Sequence, residues 1–182
     1  PGLGGYAGAF GWSSKQQYDD EQQQAAVQYG PIFDKYLQQD IAAVAADPEA
    51  RAIGQRLFLI YCAQCHGSDA GGARGFPSLR DKDWLYGGEP ETIKESIANG
   101  RLGMMPPMGA AVGSDEAVRD VANYVRSLAG LAYDAPRAQR GSAKFAAICA
   151  ACHGADARGN PQLHAPNLTD DVWLHGWGEQ AI

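Results

Sequence analysis

All four cysteines of the chain fall in two copies of one pattern, Cys62-Ala-Gln-Cys65-His66 and Cys149-Ala-Ala-Cys152-His153. C-x-x-C-H is the attachment sequence for haem c: each thiol adds to a vinyl group of the porphyrin, and the following histidine gives the iron an axial nitrogen. A thioredoxin-like redox pair, a zinc knuckle and two structural disulfides are the competing uses of such cysteines. Recurrence of the full motif outweighs them. The expected cofactors are therefore two covalently bound haem c groups, held by Cys62, Cys65 and His66 and by Cys149, Cys152 and His153. Covalent attachment also places the chain outside a bacterial inner membrane or its equivalent, where haem is added after export.

The motifs belong to a tandem duplication. Gly54, Phe58, Cys62, Cys65, His66, Gly67, Asp69, Ala70 and Gly72 recur 87 residues later, from Gly141 to Gly159. Pro77, Leu79, Asp81, Trp84, Leu85, Gly87 and Ile93 recur 89 residues later, from Pro166 to Ile182. The second unit thus carries a two-residue insertion in the loop after its haem motif. The expected architecture is all-α: an acidic helical arm over residues 1–50, a cytochrome c domain over 51–130, a linker over 131–139 and a second, incomplete cytochrome c domain over 140–182. In each domain a few short helices enclose too little surface to be stable alone, so the haem is expected to serve as the hydrophobic centre.

Helix signals in the first unit are clear. Asp47 caps a helix that carries Pro48 at its first position and Ile53, Leu57, Ile60 and Tyr61 at helical spacing. A second helix is expected from about Pro90 to Asn99, ended by Gly100. Ser114, with Asp115 and Glu116, starts an amphipathic helix bearing Val118, Val121, Ala122, Val125 and Leu128, which Gly130 ends. The three methionines, Met104, Met105 and Met108, all lie in the Pro-rich loop before this closing helix. A thioether on the sixth position raises an iron's reduction potential, and Met105, stiffened by Pro106, is the expected axial ligand beside His66. Spacing favours the haem of its own unit, with exchange to the other unit left open. The second unit's counterpart of Met105 lies by the same offset beyond Ile182, so the natural chain is expected to continue. The iron ligands within these residues are thus His66, Met105 and His153. His164 and His175 replace Gly75 and Tyr86 of the first unit and read as surface or haem-edge residues. Pro77 and Pro166 follow the axial histidines by 11 and 13 residues, and read equally as marking a turn whose carbonyl accepts the outer ring N–H and as ordinary loop prolines. Arg101 reads equally as a partner for a haem propionate and as a solvated side chain. Trp84 and Trp173 read as packing residues at the porphyrin edge.

Charge excludes one class of partner. Lys and Arg number 15 against 21 Asp and Glu, a net charge of -6 that argues against nucleic acid. The excess is concentrated in residues 1–50, with 2 basic and 7 acidic side chains. No run approaches the ~18 consecutive apolar residues of a membrane helix. The chain opens at Pro1, and an upstream segment is expected.

Beyond C-x-x-C-H, the turns Phe76-Pro77-Ser78-Leu79 and Ala165-Pro166-Asn167-Leu168, the stretch Gly100-Arg101-Leu102-Gly103-Met104-Met105-Pro106-Pro107 and the opening Pro1-Gly2-Leu3-Gly4-Gly5 are together more specific. On these residues the chain resembles the dihaem subunit III (CcoP/FixP) of cbb3-type cytochrome c oxidases over nearly its whole length. His164 and Trp177 depart from it, standing where that family usually has Gly.

The resemblance implies two class I cytochrome c folds on the periplasmic face of a bacterial inner membrane, anchored by a missing N-terminal helix. It implies a donor, a soluble cytochrome c or the bc1 complex, and acceptors, the monohaem and catalytic subunits of the oxidase, which reduces oxygen and pumps protons. The chain itself would perform no bond chemistry; its catalytic residues are none. Two rivals share the haem motifs: a soluble dihaem carrier of the cytochrome c4 type and, further off, a dihaem cytochrome c peroxidase.

Overall fold

The computed structural model describes residues 6–182, a succession of helices and irregular loops with no strand among them and only two isolated β-bridges. The opening Pro1 to Gly5 lies outside the described residues. The all-α expectation holds. The chain divides into two compact bodies between Gln55 and Arg56, inside the third helix.

The first body opens with α1 (Ser14–Leu37), capped by the Ser13 hydroxyl, which accepts the Gln16 N–H at 3.2 Å. Along its exposed face Lys15 pairs with Asp19, and Gln17 donates to Glu21 at 2.8 Å. The sequence suggests two helices flanking Pro31, yet α1 runs through that proline unbroken. Pro31 lacks only one N–H, and the carbonyl it orphans, that of Val27, belongs to an exposed residue that water can satisfy. α2 (Ile41–Ala46) is capped by Asp40 and α3 (Pro48–Tyr61) by Asp47, whose carboxylate accepts the Glu49 and Ala50 N–H groups at 2.8 and 3.1 Å. Those bonds, with Lys35 nearby, hold the Asp47 carboxyl below its ordinary pKa. Tyr36 donates its hydroxyl to Glu49 at 3.1 Å, fastening the end of α1 to the start of α3.

In the second body α4 (Ala63–His66) holds the first haem motif, and α5 (Pro90–Asn99) ends at Gly100 with φ of 72°. α6 (Gly109–Val112) leads to α7 (Asp115–Leu128), whose N-cap Ser114 accepts the Ala117 N–H at 3.3 Å. α8 (Ala135–Lys144) starts within the stretch read as linker, because Asp134 caps it and Pro136 sits in its first turn. A π-helical turn, Phe145–Cys149, joins α8 to α9 (Ala150–His153), which holds the second motif.

The principal core lies between α7 and the second unit. α7 and α8 are separated by six residues, short enough to favour an antiparallel hairpin. At their crossing a Cβ on Gly141 would stand 2.1 Å from the Asp120 carbonyl oxygen, so only glycine permits this approach. One helical turn on, Phe145 is 1% exposed and meets the Tyr124 ring at 5.2 Å, with Val125 and Ala157 completing the cluster. Leu168 and Trp173 pack against it. The buried face of α7 carries Ala117, Ala122 and Val125, while Val118 is exposed.

Polar contacts reinforce the same junction. Arg140 clamps the Asp120 carboxylate through Nε at 2.8 Å and a second nitrogen at 2.7 Å, and Arg137 reaches Asp120 at 3.3 Å and Glu116 at 2.8 Å. The fully buried Asn123 accepts the Asp134 N–H at 2.9 Å and donates to the Arg119 carbonyl at 2.9 Å and the Glu179 carboxylate at 2.7 Å. Lys144 donates to the Val112 carbonyl at 3.0 Å. The helix that closes the first unit in sequence thus packs on the opening helix of the second.

Candidate haem sites

Both motifs occupy the same local frame. Cys62 and Cys149 stand at the N-caps of α4 and α9, Cys65 and Cys152 lie within those single turns, and His66 and His153 end them. Gly67 and Gly154 then turn the chain with φ of 81° and 82°. The histidine carbonyls accept the Gly72 and Gly159 N–H groups, each at 2.8 Å, and the Ala70 and Ala157 carbonyls accept those of Leu79 and Leu168, again at 2.8 Å. These bonds fold each post-motif loop back beneath its histidine.

The insertion is confined to the tip of that loop. Ala73 and Phe76 exchange two backbone hydrogen bonds around a two-residue turn, whereas Asn160 and Ala165 do so around four residues, Pro161 to His164. Beyond either bridge the backbone returns to register, which is why the repeat offset changes from 87 to 89.

The returning loop delivers the carbonyl that orients the histidine. His66 Nδ1 lies 2.9 Å from the Pro77 oxygen, and His153 Nδ1 lies 3.0 Å from that of Pro166. A carbonyl only accepts, so the proton sits on Nδ1 in both rings and the Nε2 lone pair is left to coordinate a metal. His153 is 6% exposed, while His66 is half-buried and meets the Phe76 ring edge-on at 6.2 Å.

All four thiols are free. Burial, with Cys152 nearby, pushes the Cys149 thiol above its ordinary pKa. The surroundings fit a large apolar group that carries carboxylates. Leu57, Leu59, Ile60, Tyr61, Phe76, Leu102 and Met104 present exposed apolar side chains around or beyond the first motif, while the buried hydrophobic residues among those described all lie at Val112 or later. A porphyrin face covers surface of this kind. In the second unit the Trp173 indole N–H is buried without an acceptor, a position that a propionate oxygen suits.

Met105 lies in the loop between α5 and α6 and is 72% exposed. Its loop passes close to the first unit at Gly103, where a Cβ would stand 2.9 Å from the Tyr86 hydroxyl. Arg101 has partners within its own unit: Ser96 Oγ accepts from its Nε at 2.9 Å, the Thr92 carbonyl accepts from a terminal nitrogen at 3.0 Å, and the guanidinium lies 5.7 Å from the Tyr86 ring centre. Trp84 packs beneath Gly88, and Trp173 joins the second unit's core. His175 is exposed, whereas His164 is half-buried against Tyr86. The cross-unit pairing of Tyr86 with His164, like the hydrogen bond from the Gly75 N–H to the Leu174 carbonyl, is a feature that reading either repeat alone does not reveal.

Known proteins place this geometry. A family model described as cytochrome c oxidase, cbb3-type, subunit III matches residues 49–125, and the cytochrome c model matches residues 138–182. A Rubrivivax gelatinosus protein named cbb3-type cytochrome c oxidase subunit CcoP is 52% identical over 97% of this chain and 58% of its own length. The FixP subunit of Rhizobium meliloti is 38% identical over 96% of this chain and 65% of its own, and a CcoP subunit of Rhodobacter capsulatus is 38% identical over 98% and 65%. The chain therefore spans less than two thirds of each of these relatives. With twin C-x-x-C-H turns, twin oriented histidines and these matches, the chain belongs to the family of subunit III of cbb3-type cytochrome c oxidases, whose cytochrome c units carry covalently bound haem c.

Proposed function

We propose that this chain is the electron-transfer part of a cbb3-type oxidase, lying on the periplasmic face of a bacterial inner membrane. It takes electrons from a soluble cytochrome c or a bc1 complex and passes them toward the monohaem and catalytic subunits. The observation that supports this most is the paired orientation of His66 and His153 by the Pro77 and Pro166 carbonyls, which readies both Nε2 atoms for iron. Bound haem supplies a one-electron couple and nothing further.

The protein's residues do the rest. Cys62, Cys65, Cys149 and Cys152 would hold the two haems through thioether bonds. The two prolyl carbonyls fix ring orientation and strengthen each histidine as a donor to the metal. Met105 would supply a thioether to the iron of the first haem, from a loop whose Gly103 lies beside the Tyr86 hydroxyl. The acidic excess of residues 1–50 steers a basic donor at a rate that falls with salt.

The test is the spectrum of full-length, membrane-extracted protein and its Met105→Leu variant. Two low-spin haems per chain co-purifying with haem b, and an oxidised-state band near ~695 nm that Met105→Leu diminishes, support the reading. A high-spin second haem reacting with peroxide, in a protein free of haem b, overturns it in favour of a peroxidase.

A further inference from the structure

The two units meet through reciprocal contacts that the repeat makes visible. Gly75 donates its N–H to the Leu174 carbonyl at 2.7 Å, a bond from the first unit's post-motif loop to the second unit's Trp-Leu segment. The position equivalent to Gly75 is His164, and its ring meets Tyr86, beside the equivalent of Leu174, at 4.7 Å with planes inclined by 60°. Each unit therefore offers its loop tip to the same segment of the other, as in an isologous interface. A cleft of about 910 Å3 opens alongside, between the Gly71–Ser78 loop and the Val172–Ala181 segment.

His164 is an unusual residue for its place. Its φ is 54°, in the left-handed region that Gly75 occupies in the first unit with φ of 85°. A β-carbon there is strained, and strain of this kind persists where the surroundings hold it. Its backbone is held by the Asn160–Ala165 hydrogen bonds that close the turn, and its ring by Tyr86. Tyr86 in turn carries two further contacts, with Gly103 of the Met105 loop and with the Arg101 guanidinium. His164, for its part, lies on the turn that ends at Pro166, the residue that orients His153.

From this chain of contacts we infer that Tyr86 and His164 are positioning residues which join the sixth-ligand loop of the first unit to the axial-histidine loop of the second and set the rate of electron exchange between the two. The inference rests on the proposed dihaem reading. In the exchange one electron leaves a ferrous iron, which becomes ferric, and reduces the ferric iron of the other unit; no proton moves and no bond is made or broken. What the contact supplies, beside the Gly75–Leu174 hydrogen bond, is a tie between the two haem loops themselves, in units whose bodies the α7–α8 junction already joins.

The experiment is a double-mutant cycle on the haem-loaded full-length protein: Tyr86→Leu, His164→Gly, their combination and Tyr86→Phe. Interhaem exchange is followed after flash reduction, and the unfolding midpoint is measured in parallel. The expected result is that both single variants and the double slow exchange by one common factor, because all three remove the same ring contact. Tyr86→Phe, which keeps the ring facing His164 and loses only the hydroxyl beside Gly103, retains more of the parental rate than Tyr86→Leu, and His164→Gly keeps an unfolding midpoint near the parent's. Unchanged exchange in His164→Gly overturns the inference, as does a double variant whose loss is the product of the two single losses. Failure of the underlying reading shows elsewhere, in haem stoichiometry and in the spectrum of Met105→Leu, so the two failures are distinguishable.

Discussion

His153 donates its Nδ1–H to the carbonyl of Pro166 at 3.0 Å, in a site where the imidazole is almost wholly shielded from water. His66 makes the same bond to Pro77 from a half-buried ring. Equal geometry under unequal burial separates the strength of a hydrogen bond from its access to solvent. In the reduced, haem-loaded protein the Nδ1–H of His153 is expected to exchange with deuterium more slowly than that of His66. Ring N–H resonances followed by NMR after transfer to heavy water decide the point; equal rates mean that burial of the second histidine is not maintained.

Gly54 and Gly141 are equivalent in the repeat but stand in opposite environments. A Cβ at Gly54 meets no heavy atom within 4 Å, whereas one at Gly141 collides with the Asp120 backbone. Gly54→Ala should stabilise α3 by up to about 1 kcal/mol through helix propensity. Gly141→Ala should destabilise the protein by about 3 kcal/mol or more, because two backbones must separate. Denaturant midpoints of the two variants check this opposition of sign.

That opposition also marks how far the sequence could be read. The caps at Asp47, Ser114 and Gly100, the helices that follow or precede them, and the two haem motifs were legible because each is a local signal with a local cause. The prolyl acceptors of the histidine N–H groups were legible from spacing as one of two equal readings, since an 11- or 13-residue loop with several glycines returns to its origin. The partner of α7 was not. Two Gly-x-x-x-Phe notches, at Gly54 and Phe58 and at Gly141 and Phe145, offer the same shape, and periodicity does not choose between them. The distinguishing signal is charge. Arg137 and Arg140 face Asp120 and Glu116, while the equivalent first-unit positions hold Ala50 and Ile53. The Tyr86–His164 contact was illegible for another reason: it depends on how two units meet, and no pattern within one unit encodes that.

Asp120 makes the α7–α8 junction sensitive to acid. Hydrogen bonds from Arg140, with the further charge of Arg137, hold its carboxyl below the ordinary value of 3.8. A depressed native pKa means that the unfolded chain takes up the proton first as pH falls. The stabilisation from this group is therefore complete above pH ~4 and is lost progressively below it, through the ordinary value and then the native one. Asp120→Asn is expected to lower the unfolding midpoint at pH 7 and to flatten the dependence of stability on pH below ~4. Denaturation curves from pH 7 down to 3 test both parts; a variant that runs parallel to the parent at every pH would assign the acid sensitivity to other carboxylates.

His164→Gly places three opposing terms on one residue. Glycine relieves a left-handed backbone that costs an L-residue about 1–2 kcal/mol, but it adds about 0.4–1 kcal/mol of unfolded-state entropy. It also forfeits the edge contact with Tyr86, worth about 0.5–1.5 kcal/mol. The sum lies between about -1.5 and +1.1 kcal/mol, centred close to zero, so the unfolding free energy of the variant should change little. His164→Ala keeps the strained backbone while losing the ring and gains nothing from glycine's freedom. It should therefore be less stable than His164→Gly, an inversion of the usual order for these two residues, and comparing their denaturant midpoints in the haem-loaded protein tests it. If alanine proves the more stable, the left-handed backbone at residue 164 is not retained without its ring, and the turn from Pro161 to Ala165 must relax to another form.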